Sequence, residues 1–169
     1  MAAKKFLRLV AGVLTEILGA QTSAGVANAG DVVSLDDTGR IDNSMMPVGI
    51  GADTAVIQAS EALAAGNYVN VWDSAGSPRV RKADATAAGK PAHGFVLAAV
   101  ANGGNATVYF EGTNTQVSGQ TAGAVFLQTT AGAGGATVPS AAGNVVQKIG
   151  VAVSATAVNF EPLEPVTLA

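Results

Sequence analysis

The sequence has no cysteine and one histidine, His93. The first absence excludes disulfide bonds and metal sites built from thiolates. The single histidine leaves little for acid–base catalysis, because histidine is the side chain that ordinarily titrates near neutral pH. No GxSxG motif is present, so a serine hydrolase that uses His93 as its base is not expected. We expect His93 at a strand edge or an interface.

Aromatic residues are also scarce, at 5% of 169 residues, although 49% of the chain is hydrophobic. Much of the hydrophobic content is alanine and valine, and each of these side chains buries little apolar area. The length fits one main domain. We therefore expect a thin core that gains stability from contact with neighbouring subunits.

Charge is sparse, at 12% of residues, and the net charge is −3 with a pI near 4.9. Binding to a nucleic-acid backbone draws on many lysine and arginine contacts, so no nucleic-acid partner is expected. Residues 112 to 147 contain no charged side chain at all. Such a stretch either faces another subunit or forms a neutral exposed loop.

The N-terminus imitates a secretion signal, with an apolar run followed by the triplet Ala-Asn-Ala at residues 27 to 29. Arg8 and Glu16 interrupt the run where a signal peptide is uniformly apolar. The run is also too short and too charged to span a bilayer. We expect a soluble protein with no membrane partner.

The same run predicts a helical arm. Its apolar residues recur at spacings of three and four, which places them on one broad face of an amphipathic helix; they are Phe6, Leu7, Leu9, Val10, Val13, Leu14, Ile17 and Leu18. A small-residue linker, Gly19 to Gly25, would end the helix. The arm either packs on its own domain or docks into a partner's groove.

From Gly30 onward the chain consists of short β-like runs between glycine, serine, asparagine and aspartate turns. This pattern predicts a mainly β protein with a compact antiparallel β-barrel or sandwich body. The expected organisation is an arm and linker over residues 1–29, a turn-rich joint over 30–53 and the β body over 54–169. The expected strands are Asp31 to Leu35, Thr54 to Ser60, Asn67 to Trp72, Pro78 to Lys82, Gly94 to Val100, Ala106 to Gly112, Ala124 to Thr129, Gly143 to Ser154 and Thr156 to Phe160.

A weak internal repeat runs through the body. The series "GNYVNVW", "HGFVLAAV" and "TVYFEG" is followed later by "GAVFLQT", "KIGVAVS" and "AVNFEP" at nearly equal spacing. Repeats of this kind indicate two related β units.

The joint carries four aspartates: Asp31, Asp36, Asp37 and Asp42. Carboxylates can bind calcium, but the spacing does not fit an EF-hand loop. Aspartate also caps turns by accepting from nearby backbone N–H groups, and we expect that role here. No metal, catalytic residue or cofactor is expected. Met45 and Met46 are expected to be adaptable apolar contacts at a subunit boundary.

Arg79 and Arg81 alternate on one face of an expected strand. Such a face is either simply solvated or docks on an acidic protein surface.

The order of "KKFLRLVAGVLTE", "AGDVVSLDDTGRIDNSMMPVGIG", "GNYVNVWDSAG", "RKADAT", "GKPAHGFVLAAV" and "TVYFEG" resembles small virion proteins of tailed bacteriophages, of the head-decoration or cement type. The resemblance extends over nearly the whole chain. It lies in the order and composition of these runs and not in one diagnostic motif. It implies a non-enzymatic protein, made in the host cytoplasm, that binds the outside of the assembled capsid and bridges neighbouring major capsid protein subunits. It also implies self-association, as a homotrimer or a dimer.

Two other roles remain open: a trimeric head- or tail-fibre module, and a host-surface or glycan-binding module. For the cement role, the apolar face of the arm is the expected anchor, with basic residues beside acidic groups of the capsid. The expected interface residues are Lys4, Lys5, Phe6, Leu7, Arg8, Val10, Leu14, Ile17, Met45, Met46, Arg79 and Arg81.

Overall fold

A computed structural model describes residues 5–46 and 51–169. The chain divides into two compact units, Met1–Gly51 and Ala52–Ala169. Lys4, one of the expected interface residues, lies outside the described residues. The fold is mainly β, as the sequence predicts, and its short helical segments are single 3₁₀ turns.

The first unit begins with a β-hairpin, so the prediction of a helical arm is wrong. Strands β1 (Lys5–Val10) and β2 (Val13–Leu18) pair in antiparallel register, with Val10 opposite Val13 at one end and Lys5 opposite Leu18 at the other. The two-residue turn between them is Ala11-Gly12, with φ of +49° and +84°. Positive φ at both positions is typical of a type I′ turn, whose twist matches that of paired strands.

The rest of the first unit is loop. Ala20, just after β2, forms a parallel bridge with Val33. Two 3₁₀ turns follow, at Gly25–Asn28 and Asn43–Met45. Among residues 5–46 none is buried, so the part of this unit that the structure describes has no closed core of its own.

The second unit contains a closed five-stranded barrel. Neighbouring strands pair antiparallel except β3 and β5, whose parallel pairing closes the barrel. The strands are β3 (Thr54–Ala59), β4 (Tyr68–Ser74), β5 (Ser77–Lys82), β6 (Gly94–Phe95) and β7 (Asn105–Tyr109), arranged in the order β3-β5-β4-β6-β7.

A second five-stranded sheet follows, in the order β10-β9-β12-β13-β8. Its strands are β8 (Gly112–Asn114), β9 (Gly123–Leu127), β10 (Gly134–Gly135), β12 (Lys148–Ser154) and β13 (Ala157–Phe160). A short pair, β11 (Val145–Val146) with β14 (Val166–Thr167), completes the unit. The sandwich alternative is not confirmed.

The barrel and the second sheet share one strand order. If the five strands of each are numbered along the chain, both arrange them third, second, fourth, fifth, first. The runs quoted above as a repeat lie on corresponding strands, β4, β6 and β7 in the barrel and β9, β12 and β13 in the sheet. That the barrel and the sheet are two related β units stays a prediction.

Two apolar clusters fill the second unit. One lies inside the barrel and includes Val69, Val80 and Val108. The other joins the outer side of the barrel to the second sheet, where Phe160 stacks on Tyr68 and meets Phe95 edge-on. Burial raises the pKa of Tyr68 to about 12. The clusters are built mainly of valine, alanine and a few rings.

Candidate functional site

The hairpin presents its side chains on two faces, because paired and alternate residues of antiparallel strands share a side. One face carries Leu7, Leu9, Leu14 and Leu18 together with the ion-paired Lys5 and Glu16, and we call it the leucine face. Each of the leucine side chains is more than half exposed, with Leu7 and Leu9 at 67%. Four exposed leucines on so small a sheet form an apolar patch of the kind that marks a protein-binding surface.

The opposite face carries Phe6, Arg8, Val10 and Ile17. Phe6 and Ile17 are half-buried, whereas Val10 is exposed. The strand register therefore separates the expected anchor residues, which a helix would have grouped. Leu7 and Leu14 lie on the leucine face, and Phe6, Val10 and Ile17 lie behind it. Leu9 and Leu18 belong to the leucine face but were not among the expected interface residues.

The basic residues of the hairpin already have acidic neighbours. Lys5 Nζ lies 2.7 Å from Glu16 Oε2, and Arg8 Nη1 lies 3.9 Å from Asp31 Oδ1. Both pairs are exposed, so each contributes little to stability. They nevertheless reduce the positive charge that Lys5 and Arg8 offer to an external acidic partner. Burial of apolar surface is thus the main attraction that this hairpin provides.

Two of the four aspartates of the joint, Asp36 and Asp42, cap turns as the sequence predicts. Asp36 Oδ1 accepts from the backbone N–H groups of Arg40 (3.0 Å) and Thr38 (2.8 Å) and from the Thr38 hydroxyl (2.7 Å). Asp42 Oδ1 accepts from the hydroxyl and the backbone N–H of Ser44 at the start of a 3₁₀ turn. The bond from the Arg40 N–H and that from the Thr38 hydroxyl hold the pKa of Asp36 below its usual 3.8. The Ser44 bonds do the same for the pKa of Asp42.

These lowered pKa values predict how the loop responds to acid. A carboxyl group with a lower pKa in the folded state stabilises that state above its unfolded pKa, and the contribution is lost as the pH falls through the folded value. We expect the amide NMR signals of Thr38, Arg40 and Ser44 to be constant above about pH 5 and to shift below 3.8. The Asp36→Asn variant should lose this titration at Thr38 and Arg40 but keep it at Ser44. Titration of all three amides near neutral pH would contradict the assignment.

Met45 and Met46 lie at the end of the second 3₁₀ turn, where Met45 is half-buried and Met46 exposed. Their proposed role as subunit contacts stays a prediction. Neither methionine lies on the hairpin.

A second surface of distinctive composition lies on the outside of the barrel, where Trp72, Arg79 and Arg81 are half-buried. Trp72 faces Arg79 across the β4–β5 pair, and the guanidinium of Arg81 lies 4.7 Å from the centre of the Trp72 ring. Arg81 also donates to Asn70 Oδ1 (3.0 Å) and to the carbonyl of Gly89 (2.8 Å), so it is held by its own unit. Arg79 makes no ion pair in the part of the chain that the structure describes. Of the two expected arginines, Arg79 is therefore the one available to an acidic partner.

His93 is exposed and directly precedes β6. Its Nδ1 accepts from the backbone N–H of Val71 at 3.1 Å, which links the segment before β6 to β4. This bond gives His93 a structural role at a strand edge. No hydroxyl or carboxylate is seen hydrogen-bonded to its ring among the described residues.

No other chemical site is evident in the described residues. They contain no group of three or more histidine, aspartate or glutamate side chains placed to hold a metal ion. They also contain no helix long and apolar enough to cross a membrane. The leucine face and the Trp72–Arg79 patch are thus the two surfaces with a distinctive composition. Comparison of the chain with protein-family models, curated proteins and solved structures finds no match.

Proposed function

We propose that this chain is a structural protein of a tailed-bacteriophage head, which binds the outer surface of the assembled shell and bridges neighbouring major capsid protein subunits. The order and composition of its sequence motifs support this role, because they resemble those of small virion proteins of tailed bacteriophages. The observation that carries the proposal is the first unit, where no described residue is buried and four leucines share one exposed face.

Such a unit gains stability when another protein covers it. An isolated two-stranded hairpin is marginal in water, because it buries too little apolar surface to offset the entropy of ordering its chain. Fully burying one leucine contributes roughly 1.5–3 kcal/mol, so covering the leucine face would supply several times that amount. The shell is a surface that offers this contact many times over.

The mechanism is additive. Each bound copy covers apolar surface only on the assembled lattice, so binding shifts the equilibrium toward the assembled shell by mass action. The second unit has two apolar clusters of buried residues and would supply a stable folded body of its own. The Trp72–Arg79 patch offers a weaker, salt-sensitive contact to acidic groups of the same shell.

The test measures occupancy on purified shells of the major capsid protein from the same phage. Leu9→Asp places a charge on the leucine face and is expected to lower affinity at least roughly tenfold, because a desolvated carboxylate replaces a buried leucine. Val56→Asp is the matched control, since Val56 is equally exposed, at 68%, but lies on the barrel. It should bind like the unchanged protein.

Equal binding by both variants would remove the leucine face from the mechanism. The number of copies per particle tests the role itself. Hundreds of copies spread over the shell are expected of a decoration protein, whereas a handful at one vertex or on the tail would contradict the proposal and indicate a fibre module.

A further inference from the structure

The outer edge of β1 is unpaired in the described structure. β1 pairs only with β2 among the described residues. On the far side of β2 the chain continues into Ala20, which exchanges backbone hydrogen bonds of 2.9 Å with Val32 and Ser34. The hairpin is therefore extended by further chain on the β2 side and open on the β1 side.

The turn determines which backbone groups face this open edge. In a hairpin with a two-residue loop, the residues that flank the loop form a hydrogen-bonded pair, and such pairs then alternate with non-hydrogen-bonded pairs. Val10–Val13, Arg8–Thr15 and Phe6–Ile17 are therefore the hydrogen-bonded pairs. The N–H and C=O groups of Lys5, Leu7 and Leu9 point away from β2 and face the open edge.

β1 also has few of the usual protections of an edge strand. Natural edges are shortened, bulged, interrupted by proline or guarded by free charges. β1 has six residues in unbroken register and contains no proline. Its two cations, Lys5 and Arg8, already lie beside Glu16 and Asp31. An edge of this kind is a template for another strand.

We propose that this edge pairs with β1 of a second copy, antiparallel about a two-fold axis through Leu7. This register lets Lys5, Leu7 and Leu9 exchange hydrogen bonds with Leu9, Leu7 and Lys5 of the second copy. It places Arg8 opposite Phe6 and Lys5 opposite Leu9, so no like charges face each other. Shifting the partner by two residues toward the loop would place Arg8 opposite Arg8, which is unfavourable.

The paired hairpins form a four-stranded sheet in which both leucine faces lie on the same side. The leucine face of one copy is thereby doubled to eight leucines. The pairing itself does not depend on the proposed function. Only the statement that the doubled face covers the capsid shell rests on that proposal. A dimer with a single continuous anchor would reach two neighbouring capsid subunits, which gives bridging a geometric basis and favours a dimer over a trimer.

The pairing can be tested in the full-length protein without capsids. The chain has no cysteine, so Leu7→Cys introduces a single thiol beside the proposed axis, where the equivalent Cα atoms would be about 5.5 Å apart. A short bismaleimide should convert most of this variant to a covalent dimer. Leu14→Cys is the matched control, since Leu14 is on the same face and equally exposed at 66%. It would lie three strand spacings from its equivalent, roughly 14 Å or more, beyond the reach of the linker.

A second variant tests the edge by its hydrogen bonds. Leu7→Pro removes an N–H that faces away from β2, so the hairpin should persist while the dimer dissociation constant rises at least roughly tenfold through the loss of two symmetric bonds. Sedimentation equilibrium measures the constant. Absence of cross-linked dimer with Leu7→Cys, or equal cross-linking of both cysteine variants, would overturn the pairing. Failure of shell binding with the dimer intact would instead contradict only the proposed function.

Discussion

Replacing Phe160 with alanine is expected to lower the free energy of unfolding of the second unit by about 3–5 kcal/mol. Phe160 is 3% exposed and lies where the outer side of the barrel meets the second sheet. Its ring centre is 5.9 Å from that of Tyr68 and 5.6 Å from that of Phe95. Small side chains dominate this cluster, so its few rings contribute a large share of the buried area and their neighbours cannot collapse to fill the space.

Urea denaturation measures the loss, and Phe126→Ala is the matched control. Phe126 lies on β9 of the same sheet but is only half-buried. Its truncation removes less buried area and opens a site that solvent can reach, so the loss should be at most about half as large. If both variants lost the same free energy, the contact between barrel and sheet would not depend on Phe160.

The strands of this core were largely predictable. Residues such as Tyr68 and Val69 in "NYVNVW" and Val108 in "TVYFEG" alternate between two environments, and glycine or asparagine turns bound each run. In the structure, alternate residues of these strands face the interior of the barrel, and the residues between them face the second sheet. The closure of the barrel was harder to predict from the sequence. It depends on the parallel pairing of β3 with β5, and no turn motif in the sequence indicates that these two strands pair.

The sequence of the hairpin predicts a helix for a physical reason. Both of its faces carry apolar residues, so the two-residue period of a strand was hidden and the same residues also matched a helical spacing. The signal that would have corrected the prediction is Gly12, which costs about 1 kcal/mol inside a helix. The dipeptide Ala11-Gly12 recurs as Ala75-Gly76 between β4 and β5, again with positive φ at both residues.

The candidate surfaces were predicted only in part. Leu7 and Leu14 were expected at an interface and do lie together on an exposed face, but Phe6 and Ile17 lie on the other side of the sheet. The partners of Lys5 and Arg8 depend on the hairpin register and on the course of the loop to Asp31. A helix would group these residues differently from the hairpin. The exposed face therefore could not be identified before the strand pairing was known.

Glycines allow two neighbouring strands to pack closely within the barrel and, in the same way, within the second sheet. A Cβ at Gly94 would lie 2.6 Å from the carbonyl oxygen of Tyr109, and one at Gly150 would collide with the carbonyl oxygen of Asn159. Gly94 and Gly150 occur on corresponding strands, β6 and β12. In both units the fourth strand therefore approaches the backbone of the fifth more closely than any side chain permits.

Gly66→Ala is expected to lower the free energy of unfolding by about 3 kcal/mol or more. Gly66 has φ of +86°, and an added Cβ would collide with the carbonyl oxygen of Gln116. The backbone cannot move aside easily. The Gly66 N–H donates to Val96 at 2.8 Å, and the Gly66 carbonyl accepts from the side chain of Asn114 at 2.9 Å.

Gly76→Ala separates the two causes. Gly76 has nearly the same φ, +82°, but an added Cβ there would have no atom within 4 Å. This variant should lose only the conformational cost of alanine in the left-handed region, about 1–2 kcal/mol. The difference between the two variants, measured by urea denaturation, is the cost of forcing the Gln116 segment away from the start of β4. Equal losses would mean that the segment yields freely and that the close approach at Gly66 does not hold the barrel and the second sheet together.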